Sequence, residues 1–99
     1  MSDQLRETEG LYRTVPFVAT AEKQDGGWHP TYKLASGMGE RPAGELQESA
    51  EAALVEATIA AVQMVRLIFD DRPEPDTVNI QETSIHDAVQ ERLDALEEA

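Results

Sequence analysis

Apolar and polar residues alternate along LYRTVPFVATAEK, residues 11 to 23, where Leu11, Val15, Phe17, Ala19 and Ala21 are separated by Tyr12, Thr14, Thr20 and Glu22. A period of two predicts a half-buried strand. Pro16 has no N–H to give to a ladder, which places this strand at a sheet edge or puts a bulge in it. Asp25-Gly26 then predicts a tight hairpin turn, because both positions tolerate positive φ. In WHPTYKLAS, residues 28 to 36, Trp28, Tyr32 and Leu34 fall on one face and His29, Thr31 and Lys33 on the other. The two segments together predict an antiparallel hairpin.

The period changes after the glycine-rich GMGERPAG, residues 37 to 44. From about Glu45 to Asp70 the pattern is helical, with Glu45, Glu48, Glu56, Gln63, Arg66 and Asp70 on one arc of about 100°. Leu46, Ala50, Leu54, Val55, Ile59, Val62, Val65, Leu67, Ile68 and Phe69 occupy the rest. That surface is wide enough for two packing layers. DDRPEPD, residues 70 to 76, stops the helix with two prolines. TVNIQE, residues 77 to 82, predicts a short strand with Val78 and Ile80 inward. Ser84 caps a final helix in which Ile85, Val89, Leu93 and Leu96 form one narrow stripe and Asp87 lies in the first turn.

The expected fold is therefore α+β, a small two-layer sandwich of order β-β-α-β-α. Its antiparallel hairpin and a short third strand pack on one long central helix, and an amphipathic helix closes the chain. Residues 1 to 10 read as a flexible polar leader, and residues 11 to 99 as a single domain. The central helix, about 39 Å long if it spans residues 45 to 70, would reach the limit of a domain about 34 Å across. Something must cover its apolar end, either the final helix or the same helix of a second copy. The candidate interaction surface is Val65, Leu67, Ile68 and Phe69 with Ile85, Val89, Leu93 and Leu96.

Charge narrows the partners. The 99 residues include 20 Asp and Glu against 8 Lys and Arg, a net charge of −12. Phosphate-backbone binding needs clustered cations and is disfavoured. An acidic surface instead serves solubility, adaptation to high salt, or contact with a basic partner such as a nuclease or ribosomal surface. A membrane span is disfavoured by Glu56, Gln63 and Arg66, since an arginine near the bilayer centre costs about 3 kcal/mol. The absence of cysteine and the polar MSDQLRETEG start, which lacks a signal-peptide layout, lead us to expect a cytoplasmic protein.

No catalytic, metal or cofactor motif stands out. His29 and His86 have no ligand spacing, and DDRPEPD lacks the alternation and central glycine of a calcium loop. Gly37, Gly39 and Gly44 do not fit G-x-G-x-x-G, and Arg41 is the one cation of that loop. Phe17, Trp28 and Tyr32 share the apolar face and read as core rather than as a stacking platform. The expectation is a non-enzymatic interaction module, a homodimer or a binder of another protein. The alternatives are a small-ligand binder or minor enzyme using loop 37 to 44 with Arg41, Tyr32 or His29, and an antitoxin or immunity-type protein that meets a basic partner.

The DGGW hairpin, the Ala-rich helix and the strand after it resemble the layout of the HicB-like antitoxins over residues 12 to 80. The resemblance is one of layout and carries no motif. It implies a sheet-plus-helix fold, and this chain lacks an obvious DNA-binding tail of the kind such antitoxins often carry.

Overall fold

The computed structural model describes residues 5–12, 15–35, 39–68, 78–80 and 85–98. Its elements are β1 (Leu5–Tyr12), β2 (Val15–Gln24), β3 (Gly27–Leu34), β4 (Arg41–Pro42), α1 (Ala50–Ile68), β5 (Val78–Ile80) and α2 (His86–Glu98). The strands form one antiparallel sheet in the order β4-β3-β2-β1-β5. Helix α1 packs across β2 and β3, and α2 lies beside α1 and against β5. The result is the expected α+β sandwich, with a Cα radius of gyration of 12.9 Å.

The hairpin is built as its sequence requires. Gln24 pairs with Gly27, leaving Asp25-Gly26 as a two-residue turn with Gly26 at φ 94°. Gly27 has a different task. A Cβ there would stand 2.5 Å from the Gln47 carbonyl oxygen, because Trp28 and Gln47 exchange two backbone hydrogen bonds of 2.8 Å. With β4 opposite Thr31 and Tyr32, and the Ala43 N–H donating to the Pro30 carbonyl, segment 41–47 closes the outer edge of β3. Closed edges do not recruit stray strands.

Several expectations change. Residues 5 to 10, read as part of a loose leader, belong to β1, which pairs with β2 from Leu5↔Glu22 to Tyr12↔Val15. The single strand expected over residues 11 to 23 is therefore two strands, and residues 13 and 14 lie outside the described residues. The pairing also inverts the face of the first two positions: Tyr12 is fully buried and Leu11 is 40% exposed. Pro16 is not on an edge strand, because β2 runs between β1 and β3; it stands second in β2, where the ladder is running out.

Helix α1 begins at Ala50, not near Glu45, since Glu45 to Glu48 are held along the edge of β3. Ser49 is the cap: its Oγ accepts from the Ala52 N–H at 3.1 Å and its carbonyl from the Ala53 N–H. Nineteen residues at 1.5 Å each give a rod of about 28 Å, shorter than expected and within the body of the domain. No described helix is long and apolar enough to cross a membrane.

The core lies between the sheet and the helices. Phe17, Ala19, Ala21, Tyr32, Leu34 and Ile80 come from the sheet, Leu54, Ile59, Val62 and Val65 from α1, Val89 and Leu93 from α2, and Ile85 from the position just before α2. The other face of the sheet carries no layer among the described residues. By strand alternation it presents Leu5, Glu7, Glu9, Val18, Thr20, Glu22, His29, Thr31 and Lys33.

Candidate functional site

Helix α1 has two unlike flanks. On one, α2 seats Ile85, Val89 and Leu93 at 2%, 0% and 1% exposure, and Arg92 of α2 donates to both carboxylate oxygens of Glu56 at the rim. That pairing raises the Arg92 pKa, and partial burial opposes it. Glu56, expected on the open polar arc, is thus half-covered. A second latch joins the starts of β1 and α1, where Arg6 Nη1 lies 2.6 Å from Glu51 Oε2. The Arg6 hydrogen bond, with help from the Glu51 backbone N–H, holds the Glu51 carboxyl below the usual glutamate range.

The other flank has no such cover among the described residues. Ala60, Gln63, Met64 and Leu67 fall within about 100° of helix arc and carry no charge. Ala60 and Met64 are half-buried, while Leu67 is 78% exposed, the most exposed large apolar side chain described. Beside them an apolar groove of about 270 Å³ is floored by Tyr32 and walled by Pro42 and Ala43.

The candidate interaction surface therefore divides. Val65, Ile85, Val89 and Leu93 are buried in this chain's own core and are not available to a partner. The reason is geometric, since α2 folds back along α1 and its stripe fills the gap. Leu67 is the member left exposed. The side chains of Ile68 and Leu96, and all of Phe69, lie outside the described residues.

The residues proposed around loop 37 to 44 also separate. His29 and Arg41 line one cleft on the bare side of the sheet, together with Glu40. Tyr32 points away from it and is 5% exposed in the core. Phe17 is buried likewise, and Trp28 is half-buried with the Lys23 ammonium 5.9 Å from its ring centre, so these aromatics make no open stacking platform. His86 lies beside Asp87, 3.9 Å away. Among the described residues no group of three His, Asp or Glu side chains is placed to hold a metal ion. Sequence reasoning missed Thr20 and Thr31, which enter the cleft through strand pairing. It also missed Ala60 and Met64, which look like any other core positions of an Ala-rich helix.

No protein-family model, curated protein or solved structure matches this chain.

Proposed function

We propose that this protein is a non-enzymatic interaction module that self-associates through the uncovered flank of α1. The observation that carries the reading is Leu67, standing 78% exposed at the end of an uncharged stripe and next to an apolar groove. A chain of net charge −12 repels its own copies over most of its surface. An uncharged stripe is where two copies approach at least cost. Across a two-fold axis near Met64, Leu67 of one copy falls opposite Ala60 of the other, about 10 Å along the helix. Ala60 is small, and the groove beside it accepts a leucine side chain. Such a contact is isologous, each copy giving the same residues that it receives.

The test is solution mass by light scattering, with Leu67→Asp beside the wild type. A wild-type dimer and a folded Leu67→Asp monomer are expected. A wild-type monomer at all concentrations, or a variant that remains dimeric, overturns the reading. The exposed acidic stripe Asp87, Glu91 and Asp94 on α2 favours a second reading, a basic protein partner held electrostatically. Its signature is affinity that falls steeply with salt.

A further inference from the structure

Among the described residues three threonines are buried, and two of them have hydrogen-bond partners. The Thr58 hydroxyl donates to the Leu54 carbonyl at 2.8 Å, and Thr8 is also bonded. Thr20 differs. It is 8% exposed, in the middle of β2 on the bare face of the sheet, and its hydroxyl makes no hydrogen bond among the described residues. A buried hydroxyl left unpaired is costly, and native structures leave few of them without a reason. This one lines a cleft of about 300 Å³, the size at which small-molecule sites begin.

The neighbours of Thr20 suggest what enters. Register places Thr31 directly across from it and puts Glu22 opposite His29 one step along the same face. Glu40 and Arg41, the residue before β4 and its first residue, line one side, and Leu5 and Pro42 supply the apolar parts. Arg41 makes no ion pair with Glu22, Glu40 or any other described residue. In a chain with 20 acidic side chains, a guanidinium without a carboxylate partner is unexpected. Glu22 accepts a hydrogen bond from Gln24 Nε2 at 3.2 Å, and neither it nor Glu40 forms an ion pair with a described residue. Charges of both signs around one small cleft disfavour a simple anion, which meets two carboxylates, and a simple cation, which meets the guanidinium. A zwitterion satisfies both.

We infer that this cleft binds a free α-amino acid with a small apolar side chain. Its carboxylate is received by Arg41 and the Thr20 and Thr31 hydroxyls, and its ammonium by Glu22 and Glu40. Leu5 and Pro42 take the side chain. The inference does not depend on self-association, which uses another surface.

The experiment is amide NMR of the full chain during titration with each of the common L-amino acids. Acetate, methylammonium and inorganic phosphate are titrated separately as the single-charge probes. Saturable shifts at Thr20 and Thr31 are expected with a small apolar amino acid and not with the single-charge probes. Thr20→Val keeps the shape of the side chain and removes the hydroxyl; it should weaken binding about tenfold without lowering the thermal midpoint. Arg41→Gln, at an exposed position, should weaken it at least as much. The proposal is overturned if no amino acid gives a saturable shift. It is equally overturned if acetate or phosphate alone binds as tightly, or if Thr20→Val binds like the wild type.

Discussion

Leu93 and Leu67 stand at opposite flanks of the same helical layer, one 1% and the other 78% exposed. On the Leu93 flank the chain supplies its own cover, since α2 runs beside α1 and lowers one apolar stripe into the gap. On the Leu67 flank the described residues beside the helix are those of β4 and Ala43, and the two residues of β4 seal the sheet edge but leave Leu67 exposed. An apolar helix is therefore covered to the extent that the chain has an element left to place on it. Replacing each leucine by aspartate tests this contrast most severely. Leu93→Asp puts a charge into a filled core and should destabilise by about 4 kcal/mol or more, a large part of the stability of a small domain. Leu67→Asp should change stability by about 0.5 kcal/mol or less while it abolishes self-association. Similar denaturation midpoints for the two variants would erase the distinction between the flanks.

The covered flank was the more legible of the two from sequence. Ile85, Val89 and Leu93 repeat at helical spacing and are buried as that spacing requires, and Asp25-Gly26 announced its turn because few dipeptides accept its backbone. Strand β1 was not legible. Its helix-facing positions are Arg6, Thr8, Gly10 and Tyr12, so the side that looks polar is the side turned inward, and eight register pairs with β2 override its composition. The start of α1 was misjudged for a related reason. Glu45 and Glu48 suit a first helical turn, but Gln47 is already committed to backbone bonds with Trp28, so Ser49 becomes the first available cap. The cleft was half legible: Arg41 and His29 stood out as rare polar types, whereas Thr20 and Thr31 acquire meaning only when β2 and β3 are paired.

Buried hydroxyls carry the contrast into polar chemistry, with a smaller expected effect. Thr58 lies in the covered layer with its hydroxyl bonded to its own helix, and Thr20 lies on the uncovered side without a partner. Thr20→Val removes an unsatisfied group and should raise stability by about 1 kcal/mol, measured by chemical denaturation. A gain in stability accompanied by loss of ligand is the pattern expected where a binding site is maintained against the interest of the fold. Thr20→Val that destabilises would mean the hydroxyl is satisfied after all.

The rim of the covered flank should contribute less again. Arg92 and Glu56 form a two-pronged pair, yet their side chains remain 46% and 26% exposed. Solvent screening limits such pairs to about 0.2–1 kcal/mol. A double-mutant cycle with Glu56→Ala and Arg92→Ala should return a coupling in that range, diminished by salt. A coupling of several kcal/mol would mean that the ion pair, rather than the Ile85, Val89 and Leu93 stripe, holds α2 in place.

The Arg6 and Glu51 latch gives the smallest effect and the clearest sign. Because the folded state lowers the Glu51 pKa, its contribution is present above the unfolded pKa, near 4.5, and is lost as pH falls through the lower folded value. The window is therefore acidic, and nothing from this pair changes near neutrality. Carboxyl NMR should show Glu51 titrating below the ordinary glutamate range in the wild type and moving upward in Arg6→Gln. It should not return all the way, because the Glu51 backbone N–H also favours the ionised form. Added salt weakens the Coulombic share more than the hydrogen bonds, so the wild-type midpoint should rise with ionic strength and remain below that of Arg6→Gln. If the two midpoints coincide at low salt, β1 and α1 are not latched at this end, and the pairing of β1 with β2 alone keeps the first strand in place.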